Sequence, residues 1–180
     1  MNIVTTHIEG LLIIEPQVFK DERGYFYESY NADKFYKAGI KDNFIQDNQS
    51  LSQMGAIRGL HFQAAPFEQG KLVRVVQGAV FDVVVDIRKQ SATYGQHYDI
   101  VLSSDNMRMF YIPPGFAHGF ETLQDNTIFQ YKCTNLYNKD SEGGIYWDDS
   151  DLKIKWQTSN PIVSDKDKAL PKFNEFVSPF

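Results

Sequence analysis

At 180 residues, with 42% hydrophobic and 23% charged side chains, the chain is long enough for one substantial core and is expected to form a single domain over 1–180. A net charge of −5 argues against general nucleic-acid or anionic-membrane binding, so an anionic small molecule would have to be held by a few local Arg and Lys side chains. A lone cysteine, Cys133, excludes an internal disulfide framework, and neither MNIVTTHIEG nor the short apolar run 11–14 makes a signal or a membrane span; the expected setting is soluble and cytoplasmic.

In chain order, the first notable stretch is Asp21-Glu22-Arg23-Gly24-Tyr25-Phe26-Tyr27-Glu28. It reads as a charged turn entering a strand, although Arg23 also suits a forked contact to phosphate. Asn31 to Ala38 predicts a short helix ended by Gly39. Next comes the strand-like segment Ile57-Arg58-Gly59-Leu60-His61-Phe62-Gln63, in which Arg58 is a second phosphate candidate. Residues 71–87, KLVRVVQGAVFDVVVDI, contain two β-branched runs broken at Gln77-Gly78, and the spacing predicts a hairpin there. Such a hairpin puts Lys71 on one inward face with Val73, Val75, Asp82 and Asp86. Further strands are expected at His97–Leu102, Arg108–Ile112 and Thr127–Cys133, with turns at Ser104-Asp105-Asn106, Pro113-Pro114-Gly115 and Gln124-Asp125-Asn126. Ser164-Asp165-Lys166-Asp167 has the form of a capping box, predicting a short helix. Strands at roughly ten-residue spacing, with aromatics at 14%, predict an all-β barrel of jelly-roll type with short helices at its margins.

Three residues are candidates for the chemistry. His61 alone could be structural, and Lys71 could be an edge lysine whose stem reaches solvent rather than an interior cation. Tyr131 shares an inward face with Phe129 and Cys133, where a core role is the ordinary one. Facing one cavity, however, a His, a Lys and a Tyr are the parts needed to take a proton beside a carbonyl, hold the enolate and return a proton. A metal site is not expected. His61 and His118 on one barrel raise the question, but metal-binding barrels of this kind place His-x-His on one strand, whereas here Gln63 follows Phe62, no second His stands near His61, and His7 and His97 lack partner spacing.

The motifs DERGYFYE (21–28), FIQDNQS (44–50), IRGLHFQ (57–63), QGKLVRVVQGAVFDVVVDIR (69–88), IPPGFAHGF (112–120), YKCTNLY (131–137), GGIYWDD (143–149) and SDKD (164–167) occur in order along the chain. Over nearly its whole length the sequence resembles the dTDP-4-dehydrorhamnose 3,5-epimerases. The resemblance implies a metal-free cupin-type double-stranded β-helix (a jelly roll) needing no cofactor and acting on a dTDP-4-keto-6-deoxyhexose in dTDP-L-rhamnose biosynthesis. It implies His61 as general base with Asp167 on its far nitrogen, Tyr131 as acid, and Lys71 at the enolate oxygen with Asp82 in support. Phe19, Arg23, Glu28, Gln46, Asp47, Asn48, Arg58, His118, Tyr137, Glu142 and Lys166 would bind substrate, with Phe19 or Tyr137 stacking on the base. It further implies a homodimer in which N-terminal strands, about residues 1–30, cross between subunits, so that Arg23 and Glu28 serve the partner's pocket. Gln77, where a basic residue is frequent, and Lys168 depart from the common pattern without touching the proton-transfer set. The competing readings are an epimerase of only one carbon, a metal-dependent cupin oxygenase or isomerase, and a non-catalytic nucleotide-sugar binder.

Overall fold

Strand-prone runs punctuated by turns build fourteen strands, and the computed structural model describes residues 1–180. The strands are β1 (Asn2–Thr5), β2 (Leu12–Glu15), β3 (Val18–Asp21), β4 (Gly24–Tyr27), β5 (Gln46–Ser52), β6 (Ala56–Gln63), β7 (Lys71–Gln77), β8 (Ala79–Asp86), β9 (His97–Ser103), β10 (Met109–Ile112), β11 (Phe116–Thr122), β12 (Thr127–Cys133), β13 (Glu142–Gly144) and β14 (Ile162–Val163). The helices are α1 (Ala32–Lys37) and α2 (Asp165–Lys168). One sheet runs β1-β2-β10-β7-β12-β5 and the other β13-β6-β11-β8-β9, with β14 parallel to β6, while β3 and β4 form a separate hairpin. These two antiparallel sheets enclose a common core, which is the expected jelly roll with helices at its margins.

Alternation decides which side chains meet inside. Val73, Val75, Phe110, Ile112 and Phe129 from the first sheet pack against Val80, Val84, Phe116 and Phe120 from the second. Each fully buried side chain of this size contributes about 1.5–3 kcal/mol relative to exposure. Strand β8 is buried at every position because its other face, Phe81, Val83 and Val85, lies under Trp156, Phe173, Phe176 and Phe180. Helix α1 covers the outside of the first sheet with Phe35, against Ile14, Leu72 and Met109. Asn31 caps that helix, its Oδ1 accepting from the Lys34 amide at 3.1 Å.

The predicted hairpin at Gln77-Gly78 is not one. Strand β7 pairs with β10 and β12, whereas β8 pairs with β9 and β11, so Gly78 is a corner where the chain leaves one sheet for the other. Gly78 has φ +82°, and a Cβ there would lie 2.3 Å from Thr127 Oγ1. Two alternating runs around a glycine look the same whether the second folds back on the first or crosses to the facing sheet, because pairing is a tertiary choice. The inward faces hold nevertheless: Lys71 shares one with Val73 and Val75, and Asp82 another with Val80 and Val84. At the N-terminus, β1 and β2 pair with each other and β2 with β10 of the same chain, and the β3–β4 hairpin leaves Phe19, Tyr25 and Phe26 exposed.

Candidate active site

The site begins with an irregularity in β6. His118 of β11 pairs with His61, but Phe120 pairs with Arg58, so three steps on β6 oppose two on β11. This bulge brings Arg58 and His61 to the same cavity, although an odd spacing in a regular strand would part them. It forms where two strands touch without side chains between them. Gly59 has φ +137°, and a Cβ on it would lie 2.5 Å from Gly119 Cα. Any larger residue at 59 is excluded on both counts.

Beneath the bulge, Asp167 fixes the imidazole. His61 Nε2 lies 2.7 Å from Asp167 Oδ1, and Oδ2 accepts from the Gly59 amide at 3.3 Å. Ser164 caps α2 by accepting from the Asp167 amide at 3.1 Å, which sets the carboxylate's position. Burial pulls the Asp167 carboxyl upward, but the bond and charge of His61, with the Gly59 and Ser164 contacts, hold it below the usual carboxylate range. The ionised carboxylate therefore keeps a proton on Nε2 and leaves Nδ1 as the free nitrogen of the neutral ring.

Two lobes meet at this imidazole. The larger, about 570 Å³, is lined by Arg58, His61, Lys71, His118, Tyr131, Lys166 and Asp167. The second, about 360 Å³, is lined by Gln46, Asn48, His61, Lys71, Tyr131, Tyr137 and Glu142. His61, Lys71 and Tyr131 border both, with His61 on one sheet and Lys71 and Tyr131 on the facing one. Burial pushes the Lys71 ammonium below its ordinary range, against the pull of Cys133, Asp82 and Glu142, and no hydrogen bond holds it. Burial also raises the Tyr131 phenol, keeping its proton on at neutral pH. Arg58 is anchored by Nε to Ser52 Oγ at 3.2 Å, leaving the ends of its fork free. Glu142 pairs with Lys166 at 2.6 Å and accepts from the Tyr137 hydroxyl at 3.1 Å. No cluster of three or more His, Cys, Asp or Glu side chains converges as a ligand set.

Four of the sequence-selected residues lie elsewhere within the chain. Phe19 and Arg23 border a separate cleft on the β3–β4 hairpin, where Arg23 pairs with Asp21 at 2.6 Å. Glu28 pairs with Lys34 at 2.8 Å beside α1. Asp47 points out of the sheet, because alternation on β5 sends Gln46 and Asn48 inward; it pairs with Lys132 at 2.9 Å. Asp82 acts on Lys71 through its charge alone and makes its hydrogen bond elsewhere: its carboxylate lies 3.0 Å from His118 Nε2, forming a second buried His–Asp pair at the cavity wall. Ser52, Gly59 and Ser164 were not selected from the sequence. The capping pattern did mark Ser164, but no local signal marks the bulge.

A family model described as dTDP-4-dehydrorhamnose 3,5-epimerase matches residues 5–175. The dTDP-4-dehydrorhamnose 3,5-epimerase of Shigella flexneri is 52% identical over 174 residues, covering 96% of each chain. The crystal structure of that enzyme from Elizabethkingia anophelis superposes with a TM-score of 0.92 at 48% identity, covering 97% of both chains. The dTDP-6-deoxy-D-glucose-3,5-epimerase of Legionella pneumophila, solved in complex with dTDP-4-keto-L-rhamnose, superposes with a TM-score of 0.93 at 48% identity, covering 96% of this chain and 93% of that one.

Proposed function

The chain belongs to the dTDP-4-dehydrorhamnose 3,5-epimerase family, and from that premise we propose that its two-lobed cavity converts dTDP-4-dehydro-6-deoxy-D-glucose to dTDP-4-dehydro-L-rhamnose by proton transfers on either side of the ketone. The observation that carries this is the meeting of His61, Lys71 and Tyr131 at the junction of both lobes, with Asp167 fixing the imidazole.

The free nitrogen of His61 takes the proton from the carbon beside the C4 carbonyl. The C–H electron pair becomes the enolate double bond, and the negative charge collects on the C4 oxygen, where the Lys71 ammonium stabilises it. Tyr131, on the facing sheet, gives its phenolic proton to the opposite face of the same carbon, inverting it. The imidazolium and phenolate then exchange protons with solvent, which resets the pair. C3 and C5 both flank C4, so one base, one acid and one cation serve both inversions, and no electron leaves or enters the sugar.

Arg58 and Lys166 supply the local positive charge that an acidic chain needs to hold a diphosphate. Gln46, Asn48, Tyr137 and Glu142 line the lobe for the rest of the nucleotide sugar. Phe19, Arg23 and Glu28 complete the pocket of a second copy in a homodimer with exchanged N-terminal strands. In support, the hairpin bearing Phe19 and Arg23 is not part of either main sheet and carries exposed rings. The proposed setting is the cytoplasm, in keeping with the lone cysteine, Cys133. No helix is long and apolar enough to cross a membrane.

Turnover in heavy water tests the reaction directly. With dTDP-4-dehydro-6-deoxy-D-glucose as substrate, NMR is expected to find deuterium at both C3 and C5 of the product. Label at one carbon only would make this a single-site epimerase. No exchange at all, with tight binding retained, would make it a nucleotide-sugar binder.

A further inference from the structure

Tyr137 is the most exposed of the residues lining the second lobe, and an exposed tyrosine on a loop holds a ligand only if the loop itself is held. Three consecutive residues of that loop are tied by two glutamine side chains. Gln63 Nε2 donates to the Leu136 carbonyl at 3.1 Å, and Gln63 Oε1 accepts from the Asn138 amide at 2.8 Å. Between them, the Tyr137 amide donates to Gln46 Oε1 at 3.0 Å. The second hydrogen of Gln63 Nε2 goes to the Phe67 carbonyl at 2.6 Å, so the same side chain also ties the loop that leads into β7.

Gln63 is 5% exposed and makes three hydrogen bonds, all to backbone. Its orientation is fixed, since a flipped amide would set its oxygen against two carbonyl oxygens. It also sits two residues from His61 on the same strand, hence on the same face. One rigid strand therefore sets the positions of both the imidazole and the Tyr137 loop.

Resting on the substrate assignment above, we propose that Gln63 is a positioning residue for nucleotide binding: it clamps residues 136–138 so that Tyr137 is preorganised against the nucleotide. Gln63 lines the second lobe, but its three hydrogen bonds go to backbone rather than into the cavity, so its loss is expected to raise KM while leaving kcat nearly unchanged.

The test is a double-mutant cycle of Gln63→Met with Tyr137→Ala, with dTDP affinity measured by calorimetry and KM and kcat measured on the full substrate. Gln63→Glu is a second variant: it keeps the acceptor for the Asn138 amide and loses both donated bonds. Each single variant is expected to weaken dTDP binding and raise KM by about tenfold, with kcat within about threefold, and the double variant is expected to be no worse than the poorer single one. In the unmutated protein, the Tyr137 and Asn138 amides are expected to exchange slowly with deuterated solvent; fast exchange at both overturns the clamp without any variant needing to fold. Weakened binding in Tyr137→Ala with additive loss in the double variant, or unaltered binding in both Gln63 variants, overturns the clamp alone. Unaltered binding in Tyr137→Ala overturns the clamp together with the assignment of Tyr137 to the nucleotide.

Discussion

Asp82 and Asp86 stand four residues apart on β8, and both are 0% exposed, yet the molecule uses them differently. Asp86 is closed in by its own chain. It accepts from Arg88 Nη2 at 2.7 Å, Arg88 Nε at 2.9 Å, the Arg88 amide at 3.0 Å, Ser91 Oγ at 2.6 Å and Thr93 Oγ1 at 2.7 Å, and the guanidinium lies 4.4 Å from the centre of the Phe116 ring. Asp82 has one hydrogen-bond partner, His118 Nε2, and that imidazole borders the cavity, where the Asp82 charge also acts on Lys71. A buried carboxylate whose lone pairs are all used by nearby donors is a structural tie. One whose sole partner borders a cavity beside Lys71 can pass its charge on to a ligand. Burial does not separate the two cases; what the partner faces does.

The widest test of this division is at the cavity end. His61→Ala and Tyr131→Phe are each expected to lower turnover by at least about a hundredfold, the range for losing a general base or acid, and Lys71→Ala should fall sharply as well. Thermal unfolding of Tyr131→Phe should change little in comparison, because that variant keeps the ring packed against the core. Near-normal turnover in His61→Ala would end the assignment of His61 as base and leave the cavity no more chemical than the Asp86 end.

How much of this was legible beforehand depends on what each residue needs from its surroundings. Lys71, Asp82 and Tyr131 were placed on inward faces because strand alternation is local, and the structure keeps them there. The Ser164 cap was legible for the same reason. The crossing at Gly78 was not, since strand partners are chosen by the facing sheet. Nor was the bulge that gathers Arg58 and His61, because it depends on Gly119 of another strand meeting Gly59. The FIQDNQS motif groups Asp47 with Gln46 and Asn48, whereas strand alternation within it turns Asp47 to the opposite face.

At the closed end, the expected effect is on stability and depends on pH. Burial raises the Asp86 carboxyl, but the donors from Arg88, Ser91 and Thr93 outweigh it and bring the pKa down to about 2, against 3.8 as the ordinary value. A carboxyl lowered on folding stabilises fully above its unfolded pKa, and that share is lost as pH falls through the folded one. The window therefore runs from about pH 4 down to pH 2, and the loss is about 2 kcal/mol. Other carboxylates titrate nearby, so the quantity to measure is the difference in urea unfolding free energy between the unmutated protein and Asp86→Asn. It should shrink by about that amount between pH 5 and pH 2, and a difference that stays constant would mean that Asp86 is not the tie described.

The smallest expected effect separates the two aspartates most cleanly. Asp82→Asn keeps the shape and an acceptor for the His118 Nε2 proton but removes the charge behind the ring. Burial lowers the pKa of His118 and the Asp82 charge raises it, so the neutral amide makes the protonated ring harder to reach and weakens its polarity toward the cavity. The expected loss in kcat/KM is about tenfold, or about 1.4 kcal/mol. Asp86→Asn should leave kcat/KM within about twofold, since none of its partners borders the cavity. If Asp82→Asn kept full activity while Asp86→Asn lost it, the division would be reversed: the closed cluster would be shaping the cavity through β8, and the His118 pair would be an internal tie that happens to lie against an opening.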